Sequence, residues 1–122
     1  MGNVLGIGGI FFKCRDRDSL AAWYEQHLGM KVNEMCGIEF KFSGMPASGY
    51  CVWGPFKGET EYFKPSKKEF MLNLIVDDVD SLLQRAVAGG ASKVGEIEEY
   101  EFGRFGWFLD PEDNKIELWQ PK

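Results

Sequence analysis

An acidic side chain between apolar neighbours is the feature of this sequence best suited to chemistry. Glu117 lies between Ile116 and Leu118 in a segment typical of a strand, so its side chain should point to the face opposite theirs. A carboxylate directed into an apolar cavity could act as a general base. Burying an unpaired carboxylate costs so much free energy that a residue of this kind is expected to have a function. The structural alternative is a carboxylate bonded to backbone, water or a cation. We predict Glu117 as the catalytic residue.

Other reactive residue types are few and poorly spaced. Cys14, Cys36 and Cys51 lie 22 and 15 residues apart, which fits neither a disulfide framework nor a CxxC metal or redox motif. The one histidine, His27, falls within a predicted helix, where packing explains it. A glycine-rich stretch near the N-terminus has Phe11 where a dinucleotide-binding pattern needs its third glycine.

The composition narrows the class of protein. The chain has 122 residues, with 14 basic against 19 acidic residues, for a formal charge of −5. Nucleic acids and anionic membranes bind clustered Lys and Arg, so we expect neither as a partner. There is no apolar run of the roughly 18 residues that a membrane span needs, and the N-terminus lacks a signal-peptide pattern. We therefore expect a cytoplasmic protein.

The elements that position these residues form two similar series. Each half predicts a strand, an amphipathic helix and three more strands. The first helix should be capped by Asp16 or Asp18 and end at Gly29, and the second should be capped by Asp78 and end at Gly89-Gly90. The predicted strands of the first half are 4–14, 31–35, 37–42 and 49–54, and those of the second are 69–76, 92–97, 103–109 and 114–119. An offset of 62 residues aligns two similar short motifs, at 16–20 and 78–82. An offset of 66 residues aligns the similar segments 53–55 and 119–121. Matches in the same order indicate an internal duplication.

We predict an α+β fold of two tandem βαβββ modules that form a curved, barrel-like mixed sheet around a ligand cavity. The single domain 1–122 would divide into a first module at 1–55, a linker at 56–68 and a second module at 69–122. The charges of the linker favour a solvated loop.

The order of several short motifs resembles the vicinal oxygen chelate superfamily, which includes glyoxalase I, bleomycin resistance proteins and extradiol dioxygenases. The residues that carry the resemblance are 19–24 running into 27–32, then 76–80 and 106–118. The resemblance implies paired βαβββ modules, the glyoxalase/bleomycin resistance/dihydroxybiphenyl dioxygenase fold, a homodimer and often a divalent metal ion.

The metal ligands of that superfamily map onto four positions of this chain: Gly9, Cys51, Met71 and Glu117. Glu117 is the one residue of a usual ligand type there. Glycine offers no side chain, a thioether suits Zn, Ni, Mn or Fe(II) poorly, and a catalytic metal normally takes three protein ligands. The sequence therefore predicts no metal cofactor.

The same mapping gives the predicted lining of the cavity. Asn73 shares the face of Met71 and would offer its amide to a ligand or to a neighbouring group. Aromatic residues at alternate strand positions, which share the face of the mapped residues, could stack on a flat ligand or simply form part of the core. The predicted ligand-binding residues are Phe11, Cys51, Trp53, Met71, Asn73 and Trp119. Tyr62, Phe63 and the segment 100–105 could cover the cavity, and Arg104 could bind a carboxylate.

Three functions are consistent with these residues. The first is a glyoxalase/bleomycin-resistance-like protein that binds a small organic ligand between its modules without the usual metal. The alternative is a glyoxalase-like lyase or isomerase that uses Glu117 as metal ligand or general base. The third is a dimeric interaction module whose cavity is filled by its own side chains. The sequence leaves open whether the protein is an enzyme and which ligand it binds.

Overall fold

The helices and strands of the computed structural model lie mostly in the second half of the chain, and the structure describes residues 2–122. The helices are α1 (Arg17–Leu28) and α2 (Val79–Ala88), and a 3₁₀ turn spans Phe42–Gly44. The strands are β1 (Leu72–Ile75), β2 (Ser92–Lys93), β3 (Glu98–Tyr100), β4 (Gly103–Leu109) and β5 (Lys115–Pro121). Neither helix in this part of the chain is long and apolar enough to cross a membrane.

The five strands form one mixed sheet that does not close into a barrel. Its order is β1-β5-β4-β2, with β3 also paired to β4. The β1–β5 pair is parallel and the remaining pairs are antiparallel. The fold class is α+β, as predicted, with two helices on a five-stranded open sheet.

Both helices begin and end as the sequence indicates. Asp16 accepts a hydrogen bond from the Ser19 backbone at 3.0 Å, and Asp78 accepts one from the Ser81 backbone at 3.1 Å. These equivalent N-caps lie 62 residues apart, which agrees with the internal repeat. Gly29 ends α1 in the left-handed conformation (φ 68°), which glycine adopts without steric cost.

The core lies between one face of the sheet and the two helices. Phe108, Ile116 and Leu118 are fully buried on that face, and Val79 and Ala86 of α2 are fully buried against it. The helix α1 adds Leu20, Tyr24 and Leu28. The helices do not cover the other face of the sheet, which carries Trp107, Glu117 and Trp119.

The turn between β4 and β5 attaches α1 to the sheet. Glu112 accepts hydrogen bonds from the Arg15 and Asp16 backbone amides at 2.9 and 2.8 Å and from Arg15 Nε at 3.0 Å. These contacts, with a lesser attraction from the Arg15 charge, lower the pKa of Glu112 to about 2. A turn predicted only as a connection therefore also holds the start of α1.

The first half differs from its predicted pattern. The strands expected at 4–14, 31–35, 37–42 and 49–54 are not formed within residues 2–55, where one isolated bridge joins Val32 to Ile38. A strand needs a paired neighbour, and local turn bonds compete with pairing here. The Asn33 side chain accepts from the backbone amides of Met35 and Gly37 at 2.9 and 3.0 Å, which closes a tight turn inside the predicted strand 31–35.

Candidate ligand-binding site

Three side chains converge on the carboxylate of Glu117. Asn73 Nδ2 donates to its Oε1 at 2.7 Å, whereas Trp107 Nε1 and the Tyr62 hydroxyl donate to its Oε2 at 2.8 and 2.6 Å. The side chain of Glu117 is 8% exposed. Both oxygens act as acceptors, so the desolvated carboxylate is compensated by hydrogen bonds rather than by a salt bridge.

The strand register places two of these donors. Asn73 of β1 and Trp107 of β4 both lie directly opposite Glu117 of β5. Side chains opposite one another on neighbouring strands share a face of the sheet. Three adjacent strands therefore present an amide, a carboxylate and an indole in one row, on the face away from the helices.

The third donor comes from the segment between the two halves. Tyr62 lies in the predicted linker, and its ring is 42% exposed. Lys115 Nζ donates to the Tyr62 carbonyl oxygen at 2.5 Å and lies 5.0 Å from the centre of the Tyr62 ring. The linker is thus not simply a solvated loop, because Tyr62 is held against the sheet.

Burial shifts the pKa values of two titratable groups next to Glu117, the Tyr62 hydroxyl and the Lys115 ammonium. Desolvation, followed by the hydrogen bond and charge of Glu117, raises the pKa of Tyr62 well above its ordinary value, so the hydroxyl remains a donor. Burial lowers the pKa of the Lys115 ammonium, and the charge of Glu117 acts in the opposite direction.

A row of stacked rings extends from Trp107 along the same face. The Phe105 ring lies 6.3 Å from both Trp107 and Trp119, with interplanar angles of 16° and 11°. Tyr50 contacts Trp119 edge to face at 4.9 Å. We call the layer formed by Phe105, Trp107, Glu117 and Trp119 the aromatic face; Trp107, Glu117 and Trp119 are 5–8% exposed, and the rings of Tyr62 and Tyr50 pack against its two indoles.

Comparison with known proteins identifies the family. The sequence profile of the glyoxalase-like domain matches residues 9–119. This chain is a member of the glyoxalase-like domain family. A search of curated proteins found no match.

Two solved structures that cover most of this glyoxalase-like domain share its fold. An enzyme of the glyoxalase/bleomycin resistance protein/dioxygenase family from Burkholderia phytofirmans is 21% identical, covering 88% of this chain and 92% of its own, with a TM-score of 0.57. TnmS3, an antibiotic binding protein from a Streptomyces species, is 22% identical over 89% of each chain, with a TM-score of 0.52. A superfamily member from Sphaerobacter thermophilus is 28% identical over 40% of each chain, with a TM-score of 0.36, so the chain spans less than half of that protein.

The residues of this glyoxalase-like domain do not fit the metal ion that its superfamily often holds. Asn73, Trp107 and Tyr62 already occupy three of the four acceptor positions of the Glu117 carboxylate, and both of those on Oε2. Cys51 is exposed and lines a different cleft, together with Val4–Ile7 and Trp53. Within residues 2–122 no three His, Cys, Asp or Glu side chains are grouped closely enough to hold a metal.

The predicted ligand-binding residues of the domain fall into two groups. Asn73 bonds Glu117, Trp119 lies on the aromatic face, and Met71 is half-buried just before β1. Phe11 and Trp53 are 94% and 80% exposed. In the described part of the chain, neither of these two residues nor Cys51 hydrogen-bonds Glu117, and neither ring pairs with a ring of the aromatic face.

The predicted ligand-binding residues do not include Phe105 and Trp107, although the sequence carries a signal for both. Phe105 and Trp107 alternate with Gly106 and Phe108 in a strand whose bounds were predicted, so their shared face could have been inferred. Tyr62 was expected to cover a cavity, but nothing local indicated Glu117 as its partner. Arg104 binds a carboxylate of its own chain, since its Nη2 lies 2.7 Å from Asp80 Oδ2.

Proposed function

We propose that this glyoxalase-like domain binds a small organic ligand on its aromatic face without a metal ion. The stacked row of Trp107, Phe105 and Trp119 beside a hydrogen-bonded carboxylate is the observation that carries the proposal. Flat rings gain both apolar contact and stacking geometry on such a row. The description of TnmS3 as an antibiotic binding protein concerns that protein, and it agrees with this choice of ligand class.

Binding of a ring without hydrogen-bond donors tests this proposal. Titration with 2-methoxynaphthalene, followed by calorimetry and by the melting temperature, should show saturable binding. Phe105→Leu should weaken the binding because it breaks the middle of the row, whereas Phe70→Leu should not, since Phe70 pairs with Phe12 instead. Equal binding by both variants, or none by the wild type, would contradict the proposal.

Metal content separates the metal-free proposal from the metal-dependent one. Tag-free protein should contain far less than one Zn, Ni, Mn or Fe per chain, and these ions should leave its melting temperature unchanged. A stoichiometric metal that is lost in Glu117→Ala would overturn the proposal, because Glu117 would then be a metal ligand.

The alternative function is a lyase or isomerase reaction in which Glu117 moves a proton. The 2.6 Å hydrogen bond from the Tyr62 hydroxyl favours it, because it shows that Glu117 Oε2 can accept from an O–H group, as a general base accepts from a substrate. Turnover that Glu117→Gln abolishes, with ligand affinity retained, would establish this function. Retained turnover in that variant would exclude it.

The proposed assembly is a homodimer in which the barrel is completed around the aromatic face. Val4 and Leu5 are almost fully exposed, and β1 is an end strand of the sheet described here. Exposed apolar segments and unpaired strand edges favour association. Sedimentation should give twice the chain mass for the wild type, and Leu5→Asp should lower the dimer affinity. A monomeric wild type would refute the dimer.

A further inference from the structure

The aromatic face already holds a phenol, and that phenol belongs to the chain itself. The Tyr62 hydroxyl donates to Glu117 Oε2 at 2.6 Å. Its ring meets Trp107 edge to face at 6.5 Å and 80°, and the Lys115 ammonium lies 5.0 Å from the ring centre. The site therefore offers an acceptor for a hydroxyl, an aromatic wall for a ring and a cation for the π face of that ring.

The three donors to Glu117 differ in how they are anchored. Asn73 and Trp107 belong to β1 and β4, and strand pairing fixes their backbones directly opposite Glu117. Tyr62 belongs to a segment of turns outside the sheet, and its ring is partly exposed. Of the three, the tyrosine hydroxyl is the donor that can leave while the sheet stays intact.

Departure of Tyr62 would leave an oxygen of a buried carboxylate with one donor fewer, which is unfavourable unless another donor takes its place. An O–H group on an aromatic ring restores the hydrogen bond and the ring contacts together. We propose that this site binds hydroxyaryl ligands, whose phenolic hydroxyl displaces that of Tyr62 from Glu117. The proposal rests on ligand binding at the aromatic face and specifies its chemical class.

Tyr62 then acts as a tethered competitor of the ligand. The measured affinity is reduced by the fraction of molecules in which Tyr62 occupies the site. Removing the tethered ring should therefore strengthen binding of p-cresol, which has the ring and hydroxyl of a tyrosine side chain. The same change should do little for 4-methylanisole, whose ether oxygen has no hydrogen to donate.

The experiment compares p-cresol and 4-methylanisole by calorimetry or NMR titration on folded variants. We expect Tyr62→Ala to bind p-cresol about tenfold more tightly than the wild type does, and to prefer it over 4-methylanisole by about tenfold. Tyr62→Phe, which keeps the ring but lacks the hydroxyl, should fall between the wild type and Tyr62→Ala. Phe42→Ala is the matched control, because it removes an exposed ring that is not among the ring partners of Trp107, Phe105 or Trp119.

The outcomes distinguish the displacement of Tyr62 by a hydroxyaryl ligand from the proposed binding of aromatic rings on the aromatic face. If Tyr62→Ala binds both compounds alike, the hydroxyl preference is refuted while ring binding stands. If the two Tyr62 variants bind p-cresol no better than the wild type, displacement of Tyr62 is refuted. If no variant binds either compound, and 2-methoxynaphthalene also fails, ligand binding at the aromatic face itself is refuted.

Discussion

Tyr24 of α1 donates its hydroxyl hydrogen to Asp110 Oδ2 at 2.8 Å, across 86 residues of chain. Asp110 also accepts from the backbone amides of Glu112 and Asn114 and from Asn114 Nδ2, at 2.9 to 3.0 Å. The carboxylate thus shapes the turn between β4 and β5 and anchors α1 to it. Burial, and then the charge of Asp110, raise the pKa of Tyr24, so the hydroxyl remains a donor at neutral and mildly alkaline pH.

Tyr24→Phe should lower the free energy of unfolding by about 1–2 kcal/mol, because Asp110 loses one donor in a buried setting. Urea denaturation at neutral pH measures the change. Tyr50→Phe is the control, since Tyr50 is 54% exposed, and it should stay within about 0.5 kcal/mol of the wild type. Equal stabilities of the two variants would show that the Tyr24 bond contributes nothing.

Glu112 should make the free energy of unfolding depend on pH in the acidic range. Its pKa in the folded protein is lowered to about 2 from an ordinary value of 4.5, so its stabilising effect is fully present above pH 4.5 and is lost as the pH falls toward 2. Glu112→Gln should therefore be less stable than the wild type at pH 7, and the difference should shrink between pH 4.5 and 2. Denaturation series at several pH values measure it.

Glu96→Gln is the control for that series, because Glu96 is paired with Lys93 on the surface. Exposed pairs of this kind contribute little, so its difference from the wild type should be small at every pH. A Glu112→Gln difference that stays constant down to pH 2 would contradict the assignment.

Gly89→Ala should disturb the contact between the helices. A Cβ at this position would lie 2.5 Å from His27 Cγ, and the Gly89 carbonyl also accepts a hydrogen bond from Trp23 Nε1 at 2.9 Å. Overpacking of this kind costs about 1–3 kcal/mol of stability. The double variant with His27→Ala should recover part of the loss in a double-mutant cycle, and strictly additive effects would refute the steric explanation.

Trp107→Phe should reduce stability by about 1–3 kcal/mol, because Glu117 Oε2 loses a donor at a buried position. Trp53→Phe is the matched control on an exposed indole, and denaturation should show almost no change. A loss of similar size in both variants would mean that the hydrogen bond to Glu117 is not the cause.

The sequence predicts the features of this fold that depend on local chemistry. The Asp16 and Asp78 caps, the Gly29 stop and the bounds of β4 depend on residues within one turn or one strand, and the structure confirms them. The apolar segment 4–14 also looks like a strand, but a strand forms only where a neighbour pairs with it. The sequence carries no local signal for that neighbour.

The candidate site shows the same division. Strand alternation and the mapped positions predict that Asn73 and Glu117 face one cavity, and in the structure Asn73 Nδ2 donates to Glu117 Oε1 at 2.7 Å. The position of Tyr62 depends on how a loop packs against a distant strand, 55 residues away. The residues around Tyr62 carry no signal for a contact with a strand so far along the chain, so Glu117 could not be predicted as its partner.

The Glu112 contact with Arg15 and Asp16 has a consequence for synthesis of the chain on the ribosome. The start of α1 emerges early, but its acceptor lies 96 residues later. The ribosome adds about 5–20 residues per second, so the amides of Arg15 and Asp16 wait roughly 5–20 seconds for that carboxylate. In the interval the apolar side of α1 has no sheet to cover it. A nascent chain stalled before residue 112 should consequently be a better substrate for a chaperone than the released protein.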